Sequence, residues 1–128
     1  MPDAYVAKVL AGGPRTVVVH YTDTSDGTGL TKQVILDLST YIINGAAATK
    51  AAIQEVQWSM QGITNLLVEW DHTTDETALL LNGNGYKDFS LAGNLVSTST
   101  GGTGDVLLTT IGEANGSTFD LTITYVLS

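Results

Sequence analysis

The chain ends in a segment whose apolar and polar residues alternate. From Phe119 to Tyr125 every second residue is apolar, and the residues between them are Asp or Thr. A period of two is typical of a β-strand with one apolar face and one polar face. An apolar run precedes it at 106–111, and Asn115-Gly116 lies between the two segments. Because both turn residues tolerate positive φ, the pattern predicts a C-terminal β-hairpin.

Short segments rich in β-branched residues, bounded by Gly and Asn, predict further strands along the chain. They lie at 4–10, 16–22, 32–38, 53–61, 66–71, 77–81 and 86–91. The second and third of these are predicted to flank a hairpin loop at 23–29. The only helix-prone run is 45–52, and so short a segment supports at most a turn or two of helix. Four Asn-Gly dipeptides and the regular strand spacing predict an all-β protein, an antiparallel β-sandwich of jelly-roll-like topology, with at most one short helix near 45–52.

The phase of each strand predicts which side chains face the core. In the second strand His20 lies on the face opposite to the apolar one. The tryptophans are in phase with neighbouring aliphatic residues, which favours their burial. The side chains predicted to share core faces are Val17, Val19 and Tyr21 in the second strand, Val34, Leu36 and Leu38 in the third, and Trp58 and Trp70 in later strands.

Three strands carry apolar residues on both faces, whereas a strand covered on one side should alternate. These runs are 34–36, 79–81 and 106–108. Either both faces are covered within the chain, or a partner subunit covers one of them; in a chain of this size we favour a partner for at least one run. Either register of the predicted hairpin turns one of Leu107 and Leu108 away from the Phe119 face. We predict that this outward leucine, together with Val126 and Leu127, forms an intersubunit contact.

Length and charge narrow the classes of function. The 128 residues fit one β-sandwich domain spanning 1–128. Thirteen acids against five scattered bases give a net charge of −8, so nucleic acid and anionic membrane surfaces are not expected partners. The absence of cysteine excludes disulfides and thiolate metal sites. Because the N-terminal segment does not read as a secretory signal and no apolar run approaches 18 residues, we expect a soluble protein made in a cytoplasm.

Two acidic loops and four aromatic residues are the candidates for chemistry. The loops at 23–27 and 71–76 could offer oxygen ligands to a divalent cation, but neither spacing matches a calcium motif, and solvated turns explain them better. The aromatic residues could form a sugar-stacking platform, although burial in the core is favoured for the tryptophans. They are Trp58, Trp70, Tyr86 and Phe89.

Sequence motifs for catalysis are not found. No serine lies in a Gly-x-Ser-x-Gly setting, and no glycine-rich loop is followed by the lysine of a phosphate loop. Glu55 and Glu69 are predicted to face outward as surface acids rather than to meet across a cleft. We therefore predict no catalytic residue, no metal and no cofactor, and a protein that is not an enzyme.

Three stretches of the chain resemble a family of small virion-associated structural proteins of tailed bacteriophages. The first is 56–75, with the Val68-Glu69-Trp70-Asp71 strand end. The second is 81–89, with the Asn-Gly-Asn-Gly-Tyr-Lys-Asp-Phe turn and strand. The third is 101–125, with the Thr-Gly-Asp-Val-Leu-Leu-Thr-Thr strand, a small-residue turn and the Ser-Thr-Phe-Asp-Leu strand. The resemblance covers somewhat more than half of the chain and lies in turn residues and strand patterns.

The resemblance implies a capsid decoration or cement protein on the outer surface of a virion, made in the host cytoplasm. Its partners would be the major capsid protein or other virion proteins, and it would form a homo-oligomer, for which a trimer is favoured. The first alternative is a neck, tail or fibre component of the same particle. An alternative of another class is a carbohydrate-binding β-sandwich module.

Overall fold

A computed structural model describes residues 5–12, 15–24, 30–43, 45–96, 104–112 and 114–128 of the chain. Their regular secondary structure consists of short 3-10 turns at Leu38–Thr40 and Ser90–Ala92 and of β-strands, which loops connect. The strands are β1 (Val6–Gly12), β2 (Thr16–Thr24), β3 (Gln33–Leu36), β4 (Ile42–Ile43), β5 (Ala46–Ala47), β6 (Ala51–Gln61), β7 (Asn65–Trp70), β8 (Glu76–Leu81), β9 (Asn84–Asp88), β10 (Val106–Ile111) and β11 (Thr118–Leu127).

The strands form two antiparallel sheets and one small pair. The five-stranded sheet has the order β1-β2-β11-β6-β9, the four-stranded sheet has the order β3-β10-β7-β8, and β4 pairs with β5. Without β1 and the small pair, eight strands remain in two sheets of four. Their interleaved order is that of a jelly roll, in which the chain crosses repeatedly from one sheet to the other. The predicted antiparallel, jelly-roll-like β-sandwich is confirmed.

The stretch 45–52 forms no helix, which agrees with the predicted upper limit of one. Ala46–Ala47 pair with Ile42–Ile43, and Ala51 begins β6, where it lies opposite Leu127. Alanine favours a helix, but a segment this short gains more from pairing with strands than from an isolated helical turn. Tertiary pairing therefore decides its conformation.

The core lies between the two sheets and follows the predicted phase in most strands. Val17, Val19 and Tyr21 are buried, as are Trp58 and Trp70. The third strand differs from the prediction. A register shift in the β3–β10 pairing turns both Ile35 and Leu36 inward and leaves Val34 exposed, so Val34 does not share a face with Leu36. A bulge of this kind breaks the period of two on which the prediction depended.

Neither predicted hairpin forms. β2 and β3 lie in different sheets, and the connecting residues 25–29 lie outside the described part of the chain. β10 pairs with β3 and β7, whereas β11 pairs with β2 and β6. Both predicted hairpin registers, with Phe119 opposite Gly112 or opposite Ile111, are therefore wrong: Phe119 lies opposite Asp23 on one side and Met60 on the other.

The turn at Asn115-Gly116 explains this outcome. The Ser117 amide donates to the Ala114 carbonyl at 3.0 Å, and of the two central residues only Gly116 takes a positive φ, 89°. That combination describes a type II turn, which splays the strands it joins, whereas a tight hairpin needs a primed turn. The chain accordingly leaves β10 in one sheet and enters β11 in the other.

Candidate functional site

The four residues predicted to form an intersubunit contact lie on different sides of the sandwich. Leu108 and Leu127 face inward and are fully buried in the core, so their side chains are occupied within the chain. Leu107 lies on the outer side of the four-stranded sheet, opposite Glu69 and Val34. Val126 is partly exposed on the five-stranded sheet, between Thr16 and Ala52. The fold thus does not bring the four together, and Leu107 is the outward member of the Leu107–Leu108 pair.

Leu107 belongs to an apolar surface on the outer side of the four-stranded sheet. Leu67 and Leu80 are directly opposite each other on β7 and β8, and both share the outer side with Leu107. Leu80 is 56% exposed, Val34 is 44% exposed and Ile111 is 38% exposed, whereas Leu107 is buried, at 6%. We call this surface the outer aliphatic face; its residues are Val34, Leu67, Leu80, Leu107 and Ile111. Of the three sequence runs that carry apolar residues on both faces, two, 34–36 and 79–81, thus expose a large aliphatic side chain to solvent.

A charged cluster borders the outer aliphatic face. The Lys32 ammonium lies 2.5 Å from Asp75 Oδ2 and 3.3 Å from Glu69 Oε1. Its hydrogen bond to Asp75 raises the pKa of Lys32, and the same bond lowers the pKa of the Asp75 carboxyl. Glu69 is buried rather than exposed as the sequence predicted. The cluster joins Lys32 to Glu69, which lies 37 residues later in the sequence, and to Asp75 beyond it, so no local pattern could have revealed it.

Asp75 also orders the loop that was a candidate cation site. Its Oδ1 accepts a hydrogen bond from the His72 amide at 3.2 Å, while Oδ2 meets Lys32. Both carboxylate oxygens therefore serve the protein's own structure. Across the described ranges, no group of three or more His, Asp or Glu side chains is placed to hold a metal ion. Most of the other acidic loop, 25–27, falls in the part of the chain that is not described.

A second apolar surface lies on β1, at the edge of the five-stranded sheet. Val9 lies opposite the buried Val19 and therefore on the core side of the sheet, yet it is 51% exposed. Val6 lies opposite Thr22, on the outer side of the sheet, and Leu10 lies at the register shift; they are 56% and 53% exposed. β1 thus overhangs the sandwich: the described residues leave Val9 uncovered on the core-facing side, and Val6 is exposed on the other side. We call Val6, Val9 and Leu10 the β1 overhang. The consecutive apolar residues Val9-Leu10 could have indicated that β1 is apolar on both faces, but not that it lacks a cover.

The outer side of the five-stranded sheet is polar. An open groove of about 360 Å³ crosses the ends of β2, β6 and β11, lined mainly by Thr, Ser, Gln and Asp side chains. Beside it, His20 Nε2 lies 2.8 Å from Asp120 Oδ1. The two side chains are 31% and 60% exposed. An open, hydrated surface of this kind lacks the enclosure that acid–base chemistry uses.

The four aromatic residues considered for sugar stacking do not form an exposed platform. Trp58 and Trp70 are buried, and the Trp58 indole N–H donates to the Asn82 carbonyl at 2.9 Å. Phe89 packs against the core, which leaves only Tyr86 of the four exposed. One exposed ring on an edge strand offers a single stacking surface. No helix among the described residues has both the length and the apolar character needed to cross a membrane.

Comparisons with known proteins do not assign the chain to a family. No family model matches the chain, and no curated protein matches it. Among solved structures, the chain is similar to a cupin domain from Bordetella pertussis Tohama I, with 8% identity over 100% of this chain and 97% of that chain and a TM-score of 0.39. It is also similar to an uncharacterized conserved protein with a double-stranded β-helix domain from Klebsiella pneumoniae, with 9% identity over 97% of this chain and 84% of that chain and a TM-score of 0.39. Similarities at this level indicate no shared function.

Proposed function

We propose that this chain is a non-enzymatic structural protein of a bacteriophage virion, which decorates the capsid and stabilises the shell through β-surface contacts with capsid subunits. The observation that supports the proposal is the β1 overhang, with Val6, Val9 and Leu10 each about half-exposed. A strand that presents aliphatic side chains without a covering layer is typical of a surface that another protein covers.

The free energy available from burying the β1 overhang corresponds to a contact of moderate strength. Complete burial of an aliphatic side chain of this size contributes about 1.5–3 kcal/mol. Because the three side chains are already partly covered and lie on both sides of β1, a partner would gain a few kcal/mol per copy by wrapping around this edge strand. A contact of this strength stabilises a shell when it is repeated over many copies.

The partner would cover the side chains of β1 rather than add a strand to its edge. Lys8 lies in the middle of the strand, and the register with β2 shifts between Val9 and Ala11. A central lysine and a bulge are two features by which natural proteins prevent uncontrolled pairing at an edge strand. The overhang is therefore suited to a specific surface contact and protected against aggregation.

The proposal includes homo-oligomerisation, with a trimer favoured, and a position on the outer surface of the particle. Its excess of acidic residues, with a net charge of −8, would limit nonspecific association there. A neck, tail or fibre component would use the same kind of contact in fewer copies. A carbohydrate-binding role has weaker support, since only Tyr86 of the four candidate aromatic residues is exposed.

The composition of purified particles tests the role. Particles from the phage that encodes the chain are washed, and the protein is quantified by mass spectrometry against the major capsid protein. Hundreds of copies are expected for a decoration protein. A dozen or fewer would replace it with the neck, tail or fibre alternative, and absence from washed particles would refute a virion role.

A binding experiment tests the overhang. Particles that lack the protein are mixed with purified wild type or with Val9→Asp, and bound protein is measured after sedimentation. The charged side chain should reduce binding at least tenfold while the melting temperature stays close to wild type. The matched control is Leu91→Asp, because Leu91 is fully exposed on a 3-10 turn away from β1. Equal binding by all three proteins would show that the overhang is not the contact.

A further inference from the structure

We infer that the outer aliphatic face of the four-stranded sheet binds a second copy of this chain. The inference rests on one part of the proposed function, homo-oligomerisation, and deepens it by naming the surface through which copies meet, which lies on the opposite sheet from the β1 overhang. It would hold in the absence of any particle.

The face has members on all four strands of its sheet. Leu107 on β10 is flanked by Val34 on β3, and Leu67 on β7 is flanked by Leu80 on β8. Residues directly opposite each other on one face of an antiparallel pair have Cβ atoms about 5 Å apart. Between the two pairs, Leu107 lies opposite Glu69 and Leu67 lies opposite Thr109, so the pairs meet only diagonally, at about 7–8 Å. The exposed aliphatic members are Val34 and Leu80 on the two edge strands and Ile111 at the end of β10.

Charge favours a second copy over a partner of opposite charge. The chain carries a net charge of −8, so two copies repel each other over most of their surfaces. On this face the described charged groups are Lys32, Glu69 and Asp75, and the ammonium contacts both carboxylates. A basic partner would gain more from the acidic surface elsewhere, whereas this nearly neutral aliphatic face is where two copies can approach closely.

Size indicates a reversible contact. Four strands about 4.8 Å apart and about six residues long at about 3.4 Å per residue give a projected face on the order of 400 Å². A stable interface buries about 800 Å² per partner, and weaker encounters bury less. The face alone therefore supports a concentration-dependent equilibrium between monomer and oligomer rather than an obligate assembly.

Sedimentation equilibrium of the purified chain tests the inference. Over a range from about 1 μM to 1 mM, chosen to span weak association, the wild type should show a mass that rises with concentration. Leu80→Glu should remain monomeric over the same range. The matched control, Leu91→Glu, adds the same charge at another exposed leucine and should associate like the wild type. Ile111→Glu provides a second substitution on the face in case Leu80→Glu lowers the stability of the fold.

Salt provides an independent readout. Because the contact is apolar and the chains are both acidic, added NaCl should screen their repulsion and strengthen association. A monomeric wild type at the highest concentration would overturn the inference, and so would association of both face variants equal to that of Leu91→Glu, or association that salt weakens. Failure of the particle experiment would leave these outcomes unchanged, whereas a monomeric wild type would remove the homo-oligomer but not the virion role, so the two failures are distinguishable.

Discussion

The hydroxyl groups of Tyr21 and Tyr125 lie 2.9 Å apart in the core and hydrogen-bond to each other. The Tyr21 hydroxyl also donates to the Ile35 carbonyl at 2.7 Å. Because a phenol has one hydrogen to donate, Tyr125 must be the donor to Tyr21. The two tyrosines lie in the five-stranded sheet, and Ile35 lies on β3 in the four-stranded sheet. These hydrogen bonds therefore link the two sheets.

Removing the two hydroxyl groups one at a time should have unequal effects. Tyr21→Phe leaves the buried Ile35 carbonyl and the Tyr125 hydroxyl without these partners, and we expect the free energy of unfolding to fall by about 2–3 kcal/mol. Tyr125→Phe leaves the Tyr21–Ile35 bond intact and should cost about 1 kcal/mol. Urea unfolding monitored by fluorescence measures both. Equal losses would contradict the assigned direction of the Tyr125 bond.

The double variant tests whether the two hydroxyl groups act together. Because they share one network, the loss in Tyr21→Phe/Tyr125→Phe should be smaller than the sum of the single losses. In Tyr21→Phe the Tyr125 hydroxyl has already lost its acceptor. Removing the Tyr125 hydroxyl as well should therefore add little to the loss of stability. Additive losses would instead indicate two independent sites.

The tyrosines also predict a loss of stability at alkaline pH. Burial, with a smaller effect of Asp23, raises the pKa of Tyr5 from 10.0 to about 12, and burial raises the pKa values of Tyr21 and Tyr125 further. Below pH 10 these phenols are neutral in both the folded and the unfolded chain, so their contribution to stability is constant. Above pH 10 the unfolded chain loses protons that the folded chain retains, and the free energy of unfolding falls.

Tyrosinate absorbance provides the measurement. In the folded protein a titration step near pH 12 should disappear in Tyr5→Phe, while the steps of the two buried tyrosines coincide with unfolding. Tyr5 stacks on Tyr21 with ring centroids 6.4 Å apart, so the variant also tests whether this contact protects the Tyr21 ring. Ionisation of all five tyrosines near pH 10 in the folded protein would contradict the prediction.

The local sequence patterns predicted the positions of the strands better than they predicted which strands pair. The alternation around Val19 and Ile123 was sufficient to identify strands and their buried faces. It could not tell that β11 lies between β2 and β6, because period two specifies a face but not a neighbour. Hairpin formation depended on the turn type at Asn115-Gly116, and an Asn-Gly dipeptide is compatible with more than one.

The candidate surfaces were only partly predictable for a related reason. The runs with apolar residues on both faces correctly indicated apolar residues on the outer side of the four-stranded sheet. They could not indicate the register shift, because of which Val34 rather than Ile35 faces outward. The uncovered side of β1 follows from the five-stranded sheet being wider than the layer packed against it. Such a mismatch between layers is a property of the assembled sandwich and has no local signal.

Lys32 combines ion pairs with an unusual backbone conformation. Its φ is 47°, a region that glycine adopts at little cost and other residues do not. Its amide donates to Thr109 Oγ1 at 3.0 Å, which holds the backbone there. Lys32→Ala should lower the melting temperature because it removes the contacts to Glu69 and Asp75 and keeps the backbone strain. Lys32→Gly removes the same contacts but relieves the strain, so it should melt at a higher temperature than Lys32→Ala.

The comparison of these two variants isolates the effect of backbone strain at position 32 on the melting temperature. Thermal unfolding at neutral pH and low salt gives both melting temperatures under one set of conditions. Adding NaCl should lower the wild-type melting temperature relative to both variants, since both variants lack the Lys32 ion pairs that salt screens. A higher melting temperature for Lys32→Ala than for Lys32→Gly would show that the backbone at this position is not strained.

Gly85 is required by the close approach of Trp58. A Cβ atom added at Gly85 would lie 2.8 Å from Trp58 Cζ2, closer than such contacts allow. The indole cannot move freely, because its N–H donates to the Asn82 carbonyl at 2.9 Å and the ring is buried. Gly85→Ala should therefore lower the free energy of unfolding by about 1–3 kcal/mol, the usual cost of overpacking, and should shift the tryptophan fluorescence.

Gly12→Ala is the matched control, since it adds the same methyl group to the edge strand on the opposite side of the same sheet. There the nearest atom to the added Cβ would be Val9 Cγ1 at 3.8 Å, an ordinary contact. Its effect on the free energy of unfolding should lie within about 0.5 kcal/mol of zero, as for most surface substitutions. If urea unfolding gives the same loss for both alanines, the cost comes from replacing a strand glycine in general, and the Trp58 ring does not restrict position 85.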